Sequence, residues 1–352
     1  MSNKFTGAVL EKLGMPLKIV AEIELPELNR GQVLVEIAYS GVCHSQVMEA
    51  DGNRGEDKFL PHFLGHEATG IVRKTGADVN KIKNGDRVVL GWIKGDGIEA
   101  GGVKYRSPLG NINAGGVTTF SQFSIVSENR IVKLPSEIPM DEGVLFGCAI
   151  PTGAGIVLNQ VKPREGSALA IWGLGGIGLS ALMATQAFNC RMVIAIDVED
   201  HKLALAKEFG AHHTINAANE NVEQKVKDFV GPAGLDYCVE AAGLVETIER
   251  AFGLVKRNGG LCIFASHPSA GKKIQIDPFE LICGKKIEGS WGGASHPDRD
   301  MKVFEKLYKE WKLPLKRLLT KSYSLDQIND ALDDIRQRKV NRPLIRISPD
   351  IK

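Results

Sequence analysis

The sequence predicts an α/β protein in which a doubly wound, parallel-sheet domain is inserted between two pieces of a β-rich one. Three changes of texture predict it. The first 150 residues are short β-type runs separated by glycine, as in a mostly antiparallel domain. From about Ile150, buried-type strands alternate with helical patterns, the mark of βαβ units. From about Trp291 the alternation stops. The boundaries expected are therefore 1–150, 151–290 and 291–352.

Each element has a local reason. In the first part, Val33 to Ala38, Gly70 to Lys74, Asp86 to Leu90 and Phe123 to Val126 read as strands between turn residues. In the middle, Ser167 to Trp172, Met192 to Asp197, Asp236 to Glu240 and Gly260 to Ser266 read as strands, with helices starting near Ile177 and Asp200. In the tail, Ser324 can N-cap a helix whose apolar face is Ile328, Ala331, Leu332 and Ile335, and Arg342 to Ile347 reads as a last strand.

Composition narrows the function. Forty-four basic residues face 42 acidic ones, so no general charge field points to a nucleic acid or a membrane surface. The longest apolar runs are far too short to span a bilayer, and the opening residues do not read as a signal peptide, so none is expected. Six scattered cysteines with no CxxC pair read as reduced thiols. A soluble, cytoplasmic enzyme is expected.

Glycine is over-represented, 39 of 352 against a usual level of about 7%. One cluster carries chemistry. Gly173-Leu174-Gly175-Gly176-Ile177-Gly178 follows an expected strand and opens an expected helix. The first glycine permits a tight turn, the second lets backbone approach a pyrophosphate, and the last lets helix and strand pack. The helix N-terminus adds unpaired N–H groups for phosphates. Asp197 ends the next strand, placed to accept hydrogen bonds from a ribose diol and to repel a 2′-phosphate, which favours NAD over NADP. Lys202 either flanks the same ribose or is an exposed helix lysine.

A second constellation is metal-like. Cys43-His44-Ser45, Gly65-His66-Glu67 and Gly147-Cys148 are far apart in sequence. Singly they are weak: Cys148 in an apolar run is also a common core residue. Together, two cysteines, a histidine and a spare glutamate suit a three-ligand zinc site with an open fourth position.

With Gly85-Asp86-Arg87-Val88 and Thr152-Gly153, these motifs occur in the order and spacing of zinc-dependent medium-chain alcohol dehydrogenases, a family the chain resembles over essentially its whole length. The stretch Gly147 to Gly155 resembles most the branch handling primary, including aromatic, alcohols and their aldehydes. The resemblance implies a GroES-like catalytic domain around a Rossmann coenzyme domain, with the active site in the cleft between them. It implies one catalytic zinc per chain on Cys43, His66 and Cys148. Glu67 becomes a near-metal carboxylate, and Ser45 the hydroxyl that receives the substrate proton. His44 and Arg342 become contacts to the coenzyme pyrophosphate, with an exposed polar residue as the alternative for each. Thr152 and Gly292 fall at the coenzyme. The reaction implied is reversible hydride transfer between an alcohol carbon and nicotinamide. A homo-oligomer, dimer or tetramer, is expected, with strand Gly260 to Ser266 where the family pairs subunits edge to edge.

Departures from the family pattern are also legible. Gln46 replaces the usual acid that orients the zinc-binding histidine, and its amide oxygen is expected to take over that task. Met48 stands where some members end a proton relay, so a proton leaving Ser45 travels through ribose hydroxyls, His44 or water. The stretch Gly95 to Gly102 and Gly110 to Asn113 lacks the four cysteines that hold a second, structural zinc in many members. One zinc is expected, and a lobe held by hydrogen bonds and packing, with Trp92 or Tyr105 covering it. A polyol dehydrogenase of the same superfamily and a non-catalytic NAD-binding protein are the rival readings.

Overall fold

A computed structural model describes residues 3–311 and 314–351. The chain divides into two compact units, Met1–Cys148 with His296–Lys352, and Ala149–Ser295.

The first unit is built from β-strands. Lys4–Leu10, Lys18–Glu24, Val103–Ser107, Gly110–Ala114 and His62–Phe63 close into a barrel. Phe5 and Phe63 each meet Tyr105 edge-on in its core, at ring separations of 5.4 and 5.5 Å. A second sheet runs Ile131–Lys133, Arg87–Gly91, Glu67–Thr75, Gln32–Gly41, Pro343–Arg346, Lys321–Ser324. Its spine is the long strand Gln32–Gly41. One edge pairs with Glu67–Thr75; the other pairs first with Phe123–Ser127 and then, at Tyr39 to Gly41, with the returning C-terminal strand. That last pairing brings Arg342 beside the start of the chain's metal-like motifs.

The C-terminal helix is capped as expected. Ser324 and Gln327 form a capping box, and Ile328, Ala331, Leu332 and Ile335 are buried. They pack against Val42, Val47 and Ala50, so the tail braces the short helix His44–Ala50 that follows Cys43.

The second unit holds six parallel strands in the order His213–Asn216, Met192–Asp197, Ala168–Trp172, Tyr237–Glu240, Leu261–Phe264, Lys286–Gly289. Numbered along the chain this is 3-2-1-4-5-6, the doubly wound dinucleotide-binding order, in which ligands lie at the C-terminal ends of the strands where the order reverses. One expectation needs correction. Leu261–Phe264 is paired on both sides, so it is interior. The open edge is Lys286–Gly289, a strand the sequence hid because three of its four residues are exposed and no apolar run marks it.

Candidate active site

Cys43 ends the strand-to-helix turn after Gln32–Gly41 and serves as N-cap of His44–Ala50, with φ −100° and ψ 152°. His66 follows Gly65, whose φ is +89° and whose missing Cβ would lie 2.3 Å from Thr119 Oγ1. Only glycine fits there. Cys148 follows the tight turn Val144–Gly147. The ligand atoms of Cys43, His66 and Cys148 all lie within 4.8 Å of one another. Tetrahedral zinc spaces such ligands by roughly 3.5–4 Å, so the three fit the ion with little movement. Two thiolates balance a dication and the imidazole adds no charge.

The electrostatics point the same way. The hydrogen bond from Cys148 holds Cys43 well below the ordinary thiol range, against burial and with help from Arg342 and His66. Cys148 is pushed upward by the same bond and by burial. The two sulfurs thus share one proton, and a cation would displace it.

Gln46 orients the histidine differently from expectation. Its amide oxygen accepts the Cys43 backbone N–H at 2.8 Å, and its amide nitrogen lies 2.5 Å from His66 Nδ1. A backbone N–H can only donate, so it claims the oxygen. The amide nitrogen can likewise only donate, so in this arrangement Nδ1 accepts and the neutral ring carries its proton on Nε2, 3.2 Å from Cys148 Sγ. A cation on Nε2 needs the Gln46 amide turned so that its oxygen accepts Nδ1–H. Ser45, beside Cys43, has a buried Oγ without a partner.

The coenzyme motif is equally concrete. Gly173 has φ +90° and its missing Cβ would fall 2.5 Å from Ala242 N. A Cβ on Gly178 would meet Gly173 O at 1.8 Å, whereas one on Gly175 would meet nothing within 4 Å. The outer two glycines are closed by packing, and the middle one leaves the open cradle a phosphate needs. Gly176 and Ile177 open the helix Gly176–Thr185. Asp197 Oδ2 accepts the Leu174 N–H at 2.6 Å, and Oδ1 accepts those of Val198 and Glu199 at 2.8 and 3.1 Å. The carboxylate is thereby fixed beside the glycine turn. Lys202 is half-buried in the following helix, Asp200–Glu208.

Two family profiles match, the alcohol dehydrogenase GroES-like domain over residues 29–136 and the zinc-binding dehydrogenase over residues 176–309. An S-(hydroxymethyl)glutathione dehydrogenase of Escherichia coli O1:K1 is 30% identical over 372 residues, covering 97% of this chain and all of that one. The chain belongs to the zinc-type medium-chain alcohol dehydrogenases. The enzyme of the same name from Paracoccus denitrificans is 29% identical over 359 residues, covering 93% and 95% of the two chains. Among solved structures, benzyl alcohol dehydrogenase from Acinetobacter calcoaceticus superposes with TM-score 0.86 at 27% identity, covering 98% and 99%. A zinc-binding alcohol dehydrogenase domain protein from Burkholderia ambifaria gives 0.87 at 28%, covering 97% and 98%.

In this medium-chain dehydrogenase the first unit is the GroES-like catalytic domain and Ala149–Ser295 the NAD(P) coenzyme domain. The remaining site residues divide between them. Glu67, fully buried, is gripped by Arg342: Nε lies 2.7 Å from Oε1 and Nη2 2.8 Å from Oε2. Gly41 makes room, since a Cβ there would touch Oε1 at 2.3 Å. Burial pushes the Glu67 carboxyl up and Arg342 opposes it. Arg342 itself stays charged, because Glu67, Cys43 and Cys148 outweigh its own burial. This corrects the alternative of an exposed polar residue: Arg342 is 3% exposed, and its guanidinium is the counter-ion of the Glu67 carboxylate. The sequence could not show it, for the partners lie 275 residues apart. His44 is exposed on the first turn of its helix.

Thr152 lies on the helix Ala149–Gly155, 3% exposed, with a buried Oγ1 lacking a partner. Gly292 and Gly293 both have positive φ, and a Cβ on Gly293 would collide with the carbonyls of Pro151 and Thr152 at 2.4 and 2.5 Å. That contact lies wholly within the coenzyme domain.

Proposed function

We propose that this dehydrogenase holds one zinc ion on Cys43, His66 and Cys148, prefers NAD, and reversibly oxidises primary alcohols, aromatic ones included, to aldehydes. The observation that carries the reading is the convergence of the three ligand atoms, with Ser45, two residues after Cys43, keeping a buried hydroxyl without a protein partner. Zinc bound there supplies the Lewis acidity that lowers an alcohol's pKa. Ser45 Oγ would accept the substrate proton as it hands its own on to a ribose hydroxyl, His44 or water, and Glu67 with Arg342 completes a buried ion pair beside the ligands. A nicotinamide bound in the coenzyme domain would supply the hydride acceptor. Asp197 supports NAD, because its fixed carboxylate accepts from a ribose diol and repels a 2′-phosphate. The primary-alcohol reading is supported by the GCAIPTGAG stretch and by likeness to a benzyl alcohol dehydrogenase.

Assembly and location follow from the same unit. The open edge strand Lys286–Gly289 lies in the domain that exposes Phe279, Ile282 and Trp291 at 56, 79 and 80%. These apolar groups support a homo-oligomer paired at that edge. All six cysteines are free, which suits a reducing cytoplasm.

The test is initial-rate NADH absorbance with aromatic and aliphatic primary alcohols, polyols, NAD and NADP. The highest kcat/KM should belong to a primary alcohol with NAD. Faster polyol turnover would sink the substrate assignment, equal use of NADP would sink that of Asp197, and a zinc-loaded, NADH-binding protein with no turnover would leave a non-catalytic binder.

A further inference from the structure

Glu240 is a fully buried acid in the coenzyme domain that no step above uses. It ends the strand Tyr237–Glu240, in register with Trp172, the residue before Gly173. Its Oε1 accepts the N–H groups of Ala242 and Gly243 at 2.9 and 2.8 Å and the Thr247 hydroxyl at 2.7 Å. Its Oε2 is buried without a partner. A buried carboxyl with a half-satisfied head is costly, so its persistence asks for a reason.

The turn it holds supplies one. Ala242 N is the atom nearest to where a Cβ on Gly173 would be, at 2.5 Å, and Ala241 C is 2.8 Å from it. No side chain cushions the two turns. Ala241 N also donates to Trp172 O at 2.7 Å, tying the turn to the strand that enters the glycine motif. A shift of Ala241 to Gly243 therefore reaches Gly173 directly, and with it the open cradle at Gly175 and the Leu174 N–H that anchors Asp197.

We propose that Glu240 is a positioning residue of the coenzyme site, whose single acceptor atom Oε1 sets the Ala241–Gly243 turn against Gly173 and so fixes the pyrophosphate cradle. The inference rests on the reading that the coenzyme lies on Gly173–Gly178. What is required is an acceptor, not a charge. Around Glu240 stand Cys238 on its own strand and Cys262 on the next, with Trp172 on the third side; both thiols are held neutral by burial, Cys262 at about 12. From the helix Val245–Leu254 it meets Thr247, while Arg250 on that helix lies over Trp172, 4.9 Å from the ring. His267, near the turn, is exposed and its Nδ1 faces Pro268 O. Burial among these groups pushes the Glu240 carboxyl up to about 7, so the neutral form is well populated under working conditions. An amide can then replace it.

The experiment uses the full chain and three variants, Glu240→Gln, Glu240→Asp and Glu240→Ala. NADH and ADP-ribose dissociation constants are measured with kcat at saturating coenzyme, zinc content and Tm. Glu240→Gln should bind both ligands within about threefold of wild type, because its amide oxygen keeps the three donors. Glu240→Ala, and Glu240→Asp with its acceptor drawn back, should weaken both about tenfold or more, with kcat and zinc content unchanged. If Glu240→Ala does not fold, the Asp variant carries the comparison. Full-strength binding by the folded Asp or Ala variant, or binding by Glu240→Gln as weak as theirs, overturns the proposal. Wild-type protein that binds neither ligand instead overturns the coenzyme assignment beneath it.

Discussion

Two regions of the catalytic domain tie separate stretches of chain together with opposite chemistry. At the metal site, Cys43, His66 and Cys148 bring thiols and an imidazole from three segments to within 4.8 Å. The three stand 23 and 82 residues apart along the chain, and the pairing of Gln32–Gly41 with Glu67–Thr75 brings the first two segments together. In the lobe after Arg87–Gly91 there is no thiol, and two glutamates do the joining. Glu128, 3% exposed, accepts the backbone N–H groups of Asn80, Lys81 and Ile98 at 2.7, 2.9 and 2.9 Å. Glu99 pairs with Lys94 at 2.8 Å and Arg130 at 3.2 Å. The lobe also leans on the helix Pro297–Trp311, where Asp298 accepts the Asp96 N–H at 2.8 Å and pairs with Lys81 at 2.6 Å.

The difference teaches what each set can do alone. The thiol pair keeps one proton where a cation would sit. The lobe's hub is already satisfied by donors from the chain. Tyr105 does not cover it: it is in the barrel core, where its hydroxyl accepts the Ile125 N–H at 2.9 Å, while Trp92 gives its carbonyl to Arg130, which pairs with Glu99. Asn113 belongs to the barrel as well, reaching Phe59 O at 2.7 Å.

The largest break in this comparison comes at the metal. Cys43→Ala should lower kcat on the order of a thousandfold or more while NADH affinity stays within about threefold. Retained turnover would remove the triad from the chemistry. In the lobe the same kind of change should act on stability instead. Glu128→Ala leaves three backbone donors unpaired, at about 1 kcal/mol each or more, so unfolding free energy should fall by roughly 3 kcal/mol with zinc content and kcat intact. A change under about 0.5 kcal/mol by urea unfolding would show that Glu128 does not hold the lobe.

What the sequence shows and hides follows the same line. The glycine turn, Asp197 and the zinc ligands are legible because each needs a particular residue type at a particular place. The C-terminal helix is legible from its apolar face. The barrel is less so: Lys18–Glu24 is exposed at five of seven positions and is interrupted by Glu22 at φ +59°, and Gly110–Ala114 carries two asparagines. Glu128 and Glu240 looked like ordinary acids, since nothing local says that an acid will be buried among backbone donors. The burial of Arg342 against Glu67 is hidden for the same reason, because its partner is set by strand pairing across the whole chain.

The smallest effect sharpens the contrast. Glu99 is partly exposed, so its pairs are screened, and Glu99→Gln should cost less than about 1 kcal/mol at neutral pH. Burial raises its pKa, but Lys94, Arg130 and Asn129 outweigh that and bring it from an ordinary 4.5 to about 2. A depressed acid stabilises the fold above its unfolded pKa and loses that contribution as pH falls through the folded one. The gap in Tm between wild type and Glu99→Gln should thus be constant above about pH 5 and shrink steadily toward pH 3. A gap that widens on acidification would reverse the assignment.

One measurement bears on the whole contrast, the zinc content per subunit of purified wild type, Cys43→Ala and Glu128→Ala. The lobe offers Asp96, His296 and Asp298 within 4.8 Å of one another, but Lys81 already pairs with Asp298, and structural zinc sites want thiolate or imidazole. The structure predicts about one zinc in wild type and in Glu128→Ala, and close to none in Cys43→Ala. Two ions in wild type, or full zinc in Cys43→Ala, would contradict it.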